Sequence, residues 1–395
     1  MPKAPSSPTV LTDTPAELGY SFPAEFAPHA ATWFSWPRPE GISFPGKYHT
    51  VPENIAAFIR EIALREIVCI NVPNENYQRI VMQQLLAGGV RPAHLGEGGR
   101  SKGEVTIEND VKARIRFFYI PTNEAWCRDH GPAFVQKRSR AGKLSTAIVD
   151  WGFNAWGGKY PPYDSDDAVP TRIAEKLGKT LGAKIDGIFY PNVKGKPVVM
   201  EGGSVEFNGR GTILTSEACL LNKNRNPHLS RKEIEAALCA YYGQHHVLWL
   251  HDGIVGDDTD GHIDDLARFI SPHTIVTTLE DDPKDENYAI LQDNYKRLLA
   301  MRDQDGKPFD IVTIPMPGRV EFDGQRLPAT YANFYFVNGA LLVPTYRHKK
   351  NDKKTLATLQ ELLPDREVIG IDSTELIWGL GSVHCLSQQV PALTA

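Results

Sequence analysis

The sequence predicts a mixed α/β or α+β fold built as one compact unit. Helical patterns alternate with short apolar strands along the whole chain, and no Ser/Gly-rich linker separates them. The composition is that of a globular protein, with 41% hydrophobic and 23% charged residues among 395. A chain of this length buries about 75% of its unfolded surface, so a sizeable core needs no disulfide or metal.

The predicted elements follow one another in a regular order. Residues 1–20, rich in Pro, Ser and Thr, are predicted to form a loose N-terminal arm, and residues 21–395 a single catalytic domain. Apolar residues recur with helical spacing at 52–63, 76–87, 169–181, 231–242, 287–301 and 353–363. Short apolar runs predict strands at 67–72, 115–120, 133–135, 145–149, 198–199, 212–214, 247–250, 267–270, 274–277, 311–314, 334–337, 340–343 and 367–371. Roughly one helix with several strands therefore recurs every 70 to 80 residues.

Charge and cysteine content exclude several classes of protein. The balance of 43 Lys+Arg against 48 Asp+Glu gives a net charge of −5 without long blocks of one sign, which does not favour nucleic-acid binding. The five cysteines form no C-x-x-C pair, so the sequence predicts neither a disulfide framework nor a Cys-rich zinc site, and the expected setting is the reducing cytoplasm. The N-terminal residues lack an apolar export segment, and no run approaches 18 apolar residues, so we expect no membrane association.

Polar residues that could take part in catalysis are concentrated in four segments that contain or adjoin glycine. Carboxylates, one histidine and one cysteine at the ends of elements are typical of a loop-borne active site, although each segment alone also suits an ordinary polar turn. The segments are WCRDHG (126–131), EGG (201–203), DDTDGHIDD (257–265) and GLGSVHC (379–385).

Cys385 differs from the usual lone cysteine, which is a small buried hydrophobe. Cys69, inside the apolar run 67–70, has that ordinary setting. Cys385 instead follows two glycines and His384 and precedes the polar run Ser-Gln-Gln, which favours a reactive thiol.

Common cofactor motifs are absent. The segment 379–384 lacks the third glycine of a dinucleotide fingerprint, and no phosphate-binding G-x-x-x-x-G-K-[ST] occurs. The acidic run 256–267 has Gly256 and Ala267 where a calcium loop requires carboxylates. The sequence therefore predicts an enzyme without a cofactor or a metal.

Six motifs taken together carry a resemblance to a known family. In chain order they are TNEAWCRDHGPAFV, DWGFNAWGGKYPPYDSDDAVP, MEGGSVEFNGRGTILTSEACLLNKNRNP, DDTDGHIDDLARF, LPATYANFYFVNGALLVP and GLGSVHCLSQQVP. The sequence resembles agmatine deiminases and the related bacterial peptidylarginine deiminases, within the guanidine-modifying amidinotransferase superfamily, from about Gly19 to Pro391. The resemblance implies a five-bladed α/β propeller of repeated strand-helix modules. It also implies hydrolysis of agmatine to N-carbamoylputrescine and ammonia, a reaction of polyamine biosynthesis.

The resemblance assigns roles by motif position. It implies that Cys385 is the nucleophile and that His262 gives a proton to the departing ammonia and later takes one from water. It implies that Asp129 and Asp264 hold the planar guanidinium over the sulfur and that Glu201 orients His262. Two further residues are expected to bind substrate, Trp126 against the cation or its stem and Asp258 at the tail amine.

The choice of substrate leaves alternatives open. A deiminase of arginine or peptidyl-arginine would need an Arg clamp for a carboxylate, and the stretch 141–171 contains no Arg. A dimanganese ureohydrolase is the main rival class, because Asp260, His262 and Asp264 have D-x-H-x-D spacing, but its second acidic motif is absent. A non-catalytic binding protein is a further alternative. Asn333 and its strand could line the pocket without an assigned role, and the sequence leaves a homo-oligomer open.

Overall fold

The computed structural model describes residues 8–95, 113–181 and 185–393. The strands are β1 (His29–Ser35), β2 (Ile67–Val72), β3 (Ile115–Tyr119), β4 (Ala133–Arg138), β5 (Leu144–Val149), β6 (Ile185–Phe189), β7 (Asn192–Val193), β8 (Lys196–Pro197), β9 (Val205–Phe207), β10 (Thr212–Ser216), β11 (His246–Leu250), β12 (Ala267–Phe269), β13 (Thr274–Leu279), β14 (Asp310–Pro315), β15 (Glu321–Phe322), β16 (Gln325–Arg326), β17 (Tyr335–Val337), β18 (Ala340–Thr345), β19 (Glu367–Asp372) and β20 (Ser387–Pro391). The helices are α1 (Val51–Ala63), α2 (Glu75–Ala87), α3 (Pro92–Leu95), α4 (Cys127–His130), α5 (Ala155–Gly158), α6 (Asp164–Asp167), α7 (Val169–Thr180), α8 (Glu217–Leu220), α9 (Arg231–Tyr242), α10 (Tyr288–Ala300), α11 (Lys349–Leu362) and α12 (Val383–Leu386).

The described strands and helices form five modules of one design. In each module two antiparallel strands are followed by a helix that leads to a parallel third strand. Module 1 joins β20, β1 and β2 through α1 and adds β3 after α2. Modules 2 to 5 are β4-β5-β6 with α7, β9-β10-β11 with α9, β12-β13-β14 with α10, and β17-β18-β19 with α11. The predicted α/β fold is confirmed, and the pairing of β20 with β1 brings the first and last described strands of the chain into one sheet.

Local sequence accounts for the main elements. Strand β2, IVCINV, is flanked by parallel strands on both sides, which explains its nearly continuous apolar sequence. Helix α9 begins with a capping box in which Ser230 and Glu233 bind each other's backbone N–H, and it ends at Gly243 with a left-handed φ of 62°. The apolar faces of the helices pack on their sheets and form hydrophobic clusters between the two layers.

The sequence pattern does not predict β1, β6, β9 and β20. Strand β20 contains the polar run Ser-Gln-Gln, which suits a surface loop, yet all of it is buried. Tertiary hydrogen bonds offset the cost of burying these polar side chains. Arg128, for example, donates a hydrogen bond to Gln389 Oε1 at 2.7 Å. Strand β9 likewise carries Glu206, whose carboxylate lies 3.1 Å from the guanidinium of Arg268 in the next module.

The prediction of a strand at 198–199 is wrong. The observed strand nearby is the two-residue β8, and Val199 forms a single bridge to Gly152. The Asn226 side chain accepts from Val199 N at 2.9 Å and donates to Val199 O at 2.8 Å. A side chain therefore takes the backbone groups that a longer strand would have paired.

Part of the predicted N-terminal arm is described. Ile188 N donates to Thr9 O at 2.8 Å, and Leu11 N donates to Ile188 O at 2.9 Å, so this segment extends the sheet of module 2. Residues 1–7 lie outside the described residues, and the division of the chain at residue 20 stays a prediction. Within the described ranges, no helix is both long enough and apolar enough to cross a membrane.

Candidate active site

Each module contributes a residue to the candidate site from the same place, the turn that precedes the first strand of its antiparallel pair. Asp129 belongs to α4 before β4, and Gly203 to a 3₁₀ turn before β9. Asp264 belongs to a 3₁₀ turn before β12, Asn333 lies two residues before β17, and Cys385 belongs to α12 before β20. Because the turns meet where the modules converge, residues far apart in sequence form one cluster.

Cys385 is buried among carboxylates. Its Sγ lies 3.6 Å from Asp264 Oδ2 and accepts a hydrogen bond from Asn333 Nδ2 at 3.0 Å. Burial and the negative charges of Asp264, Asp265 and Asp129 raise the pKa of the Cys385 thiol well above its ordinary value, and the Asn333 hydrogen bond acts in the opposite direction. These surroundings therefore favour the neutral thiol over the thiolate.

His262 is surrounded by carboxylates at ion-pair distances. Its Nδ1 lies 3.7 Å from Asp129 Oδ1 and 4.0 Å from Asp264 Oδ1, and its Nε2 lies 3.9 Å from Glu201 Oε2. Both ring nitrogens are buried without a hydrogen-bond partner. Burial opposes protonation, but the Asp129 charge and the contacts with Cys219 and Glu201 hold the pKa of His262 well above its usual value. The imidazolium is the favoured form, which is the form that can donate a proton.

Asp129 is held in place by two donors. Trp156 Nε1 donates to its Oδ2 at 2.9 Å, and Gly203 N donates to its Oδ1 at 3.0 Å. Gly203 must be glycine, since a Cβ there would lie 2.6 Å from His262 Nδ1 and 2.8 Å from Asp129 Oδ1. Trp156 and its neighbour Ala155 have left-handed φ values of 54° and 51°, a costly backbone conformation that aims the indole at the carboxylate.

Glu201 is fixed by an arginine behind it. Arg225 Nε donates to Glu201 Oε1 at 2.6 Å, and both side chains are fully buried. Although burial raises the pKa of a carboxyl, the Arg225 charge holds that of Glu201 below its usual value. The other oxygen, Oε2, accepts from Cys219 Sγ at 4.0 Å and lies 3.9 Å from His262 Nε2, which is an ion-pair distance and longer than the expected hydrogen bond.

A second buried network supports Asp264. His384 Nδ1 lies 2.6 Å from Asp264 Oδ2, and its Nε2 lies 2.7 Å from Glu25 Oε2. Arg128 and Arg268 also donate to Glu25, at 3.0 and 2.9 Å. Burial raises the pKa of a carboxyl, but the positive charges of Arg268 and Arg128 hold the pKa of Glu25 well below its usual value. The Asp264 carboxylate is thereby fixed through Oδ2, the same oxygen that lies 3.6 Å from Cys385 Sγ.

A cavity of about 290 Å³ leads from the surface to Cys385 and Asp129. Trp126 and Trp156 line its walls, and Trp126 Nε1 donates to Ser43 Oγ at 2.8 Å. The volume and the aromatic walls suit a small ligand with a flat cationic head.

The outer part of the cavity, where the lining residues Asp258 and Glu124 are only half-buried while Asp129 and Cys385 are buried, is acidic. Asp258 lines it and accepts a hydrogen bond from Tyr160 OH, and Glu124 lines it while accepting from Ile42 N at 2.9 Å. Among the lining residues in the described part of the chain there is no Arg and no Lys. A cation is therefore favoured along the cavity, at its outer end as well as its inner end.

The structure brings the seven predicted site residues to one place. Cys385, Asp129, Trp126 and Asp258 line the cavity, and His262, Asp264 and Glu201 lie in the contact network behind it. Their catalytic and binding roles stay predictions.

The sequence interpretation gave no role to three neighbours of these residues, Asn333, His384 and Trp156. A signal was available for Asn333, which stands two residues before its strand, as Cys385 does. The local sequence carries no such signal for the other two.

Within residues 8–95, 113–181 and 185–393, two groups of side chains have donor spacing that could hold a metal ion. They are Glu201, Cys219 and His262, and Asp264, Asp265 and Cys385, with the donor atoms of each group within 4.8 Å of one another. Asp260, the first residue of the D-x-H-x-D pattern, belongs to neither group. Its carboxylate accepts instead from Arg225, Asn224 and Lys159 at 2.5 to 2.9 Å. The donor set expected for a ureohydrolase is thus not assembled by this segment.

The chain is similar to known deiminases in sequence and in fold. The model of the Porphyromonas-type peptidyl-arginine deiminase family matches residues 21–391. The agmatine deiminase of Ectopseudomonas mendocina is 34% identical over 407 aligned positions, covering 97% of this chain and 99% of that protein. A structure of the Enterococcus faecalis agmatine deiminase, described as catalysing its reaction, has a TM-score of 0.81 and 30% identity, covering 98% of this chain and 100% of that one. A substrate-bound agmatine deiminase from C. jejuni has a TM-score of 0.76 and 29% identity, covering 94% and 96%.

Proposed function

This chain belongs to the Porphyromonas-type peptidyl-arginine deiminase family, and from that premise we propose that it is an agmatine deiminase. The proposed reaction hydrolyses agmatine to N-carbamoylputrescine and ammonia through a covalent intermediate on Cys385. The observation that carries the proposal is the charge pattern of the cavity, which has a thiol and Asp129 at its inner end and Asp258 and Glu124 farther out. Agmatine carries a cation at each end, and both would face carboxylates.

The proposed first half-reaction uses the electrostatics of the inner site. The bound guanidinium offsets the carboxylate charges around Cys385, and the thiol loses its proton to solvent. The thiolate forms a C–S bond to the guanidinium carbon. His262 donates its proton to one amino nitrogen, the C–N bond to that nitrogen breaks, and ammonia leaves.

The second half-reaction returns the enzyme to its starting state. Neutral His262 takes a proton from water as the hydroxyl bonds to the same carbon. The C–S bond then breaks, its electron pair returns to sulfur, and the thiolate regains from solvent the proton that it lost in the first half-reaction. The carbonyl forms as the hydroxyl proton passes to solvent, where it protonates the ammonia. The carboxylates of Asp129 and Asp264 would hold the carbon over Cys385 in both halves.

The tail of the substrate separates the candidates. Free arginine carries a carboxylate beside its amine, and an arginyl peptide carries amides, whereas agmatine carries the amine alone. Asp258 and Glu124 would attract the amine and repel a carboxylate. Since all five cysteines are free thiols, we place the reaction in the reducing cytoplasm.

One experiment tests class and substrate together. Purified protein is incubated with agmatine, arginine or a blocked arginyl peptide in the presence of EDTA, and ammonia and urea are both measured. We expect ammonia from agmatine, no urea, and loss of activity in Cys385→Ser. Urea as product would overturn the reaction class, and a preference for arginine or the peptide would overturn the substrate.

A further inference from the structure

Asn333 lies closer to the reacting sulfur than its sequence setting predicts. It is 1% exposed and stands two residues before β17, the point in module 5 that Cys385 occupies before β20 in module 1. Its Nδ2 is 3.0 Å from Cys385 Sγ, 3.0 Å from Asp265 Oδ1 and 3.4 Å from Asp264 Oδ2. An amide with a carbonyl oxygen and an NH₂ group could in principle point either way.

Backbone contacts decide the orientation of the amide. Asn333 Oδ1 accepts hydrogen bonds from His384 N at 3.1 Å and from Cys385 N at 3.4 Å. A flipped amide would place its NH₂ group against two N–H donors and its oxygen against two carboxyl groups. The observed orientation therefore fixes the donor side of Asn333 toward Cys385 Sγ.

Asn333 has a donor for each of its two closest partners. Its amide carries two N–H bonds, and Nδ2 lies 3.0 Å from both Cys385 Sγ and Asp265 Oδ1. One N–H can therefore point at the sulfur while the other points at Asp265, so a donor is available when charge develops on the sulfur.

We propose that Asn333 is a further catalytic residue, whose side-chain N–H stabilises the Cys385 thiolate before attack and again when the C–S bond breaks. The inference rests on the proposed function, in which Cys385 is the nucleophile. In each half-reaction the sulfur carries negative charge at one end of the step and none in the covalent intermediate. A donor fixed on the sulfur therefore favours formation of the nucleophile and departure of the leaving group, without taking or giving a proton.

The test is the pH dependence of Cys385 alkylation by iodoacetamide in the full chain without substrate, with the modified residue quantified by mass spectrometry. Asn333→Asp keeps an acceptor for the two backbone N–H groups and replaces the donor with a carboxylate oxygen. Asn333→Ser removes the amide donor without adding charge, and its shorter side chain does not place the hydroxyl where Nδ2 lies. A hydrogen bond to a charged group contributes about 1.5–3 kcal/mol, so we expect alkylation below the thiol pKa to fall about tenfold to hundredfold in Asn333→Ser. The fall should be larger in Asn333→Asp, and both profiles should move to higher pH.

Asn294→Asp is the matched control for burying a new carboxylate. Asn294 is also 1% exposed, accepts from His251 N at 2.8 Å and donates to Asp252 O at 2.9 Å. Its variant should leave the Cys385 profile unchanged. If Asn333→Asp does not fold, Asn333→Ser alone decides the outcome.

Profiles of the Asn333 variants that superpose on wild type would overturn the inference. Failure of the proposed function would look different, because wild-type protein would then leave agmatine unhydrolysed while the alkylation profiles still separated.

Discussion

An alkylating agent that carries an amidinium group should modify Cys385 far faster than a neutral agent of the same size. Carboxylates oppose ionisation of this thiol, and the nearest oxygen lies 3.6 Å from the sulfur. At an effective dielectric constant of about 20, unit charges at that distance interact with about 4–5 kcal/mol. A cation bound at a similar distance from the sulfur offsets one such interaction, which corresponds to about a thousandfold in the ionised fraction of the thiol.

The assay compares 2-chloroacetamidine with 2-chloroacetamide at pH 7, each rate being divided by that of the same agent with free cysteine. We expect the corrected ratio at Cys385 to be at least about a hundredfold, which allows for imperfect placement of the cation. Cys239 is the internal control, because it is half-buried on α9 and lies outside the cavity. Its corrected ratio should be close to one.

A corrected ratio near one at Cys385 would refute the reasoning, since it would mean that the carboxylates do not control the thiol. A large ratio at both cysteines would also count against it, because the effect would then come from the reagent and not from the site.

Three further predictions concern other parts of the molecule. Gly203→Ala places a Cβ 2.6 Å from His262 Nδ1, so kcat/KM for agmatine should fall at least about a hundredfold in steady-state kinetics, and an unchanged value would contradict the packing. Asp258→Asn should raise KM for agmatine about tenfold with little change in kcat, whereas butylguanidine, which lacks the tail amine, should be hydrolysed equally well by both proteins. Burial raises the pKa of Asp150 from 3.8 to about 7, so this carboxyl costs stability progressively as the pH rises from about 4 to about 7. Asp150→Asn should therefore stabilise the fold by about 2–3 kcal/mol more at pH 8 than at pH 5 in urea unfolding, and an equal effect at both pH values would contradict the raised pKa.

The sequence was informative where residue type alone limits the chemistry. A cysteine among glycines and polar residues, a histidine between aspartates and a Glu-Gly-Gly turn are unusual choices for a core or a plain surface. They marked Cys385, His262 and Glu201 before any fold was known. Apolar period and length likewise predicted the long helices and the central buried strands.

The sequence-based prediction was wrong where the conformation of a segment depends on distant partners. Strand β20 has the sequence of a polar loop. It is buried as a strand because Arg128, more than two hundred residues away, donates a hydrogen bond to Gln389. The segment at Val199 has the sequence of a strand. It does not form one because the Asn226 side chain hydrogen-bonds to the backbone N–H and C=O of Val199. In both cases a long-range hydrogen bond outweighed the local pattern.

The amino-acid sequence by itself determined which reactive side chains the protein contains and the repeated order of strands and helices in which they occur. Tertiary structure alone decided the ionisation of those groups and the direction in which each one points. A side chain's chemistry is local, but its pKa is the sum of burial and charges from every neighbouring module, and Asn333 acquires a partner only where modules 1 and 5 meet.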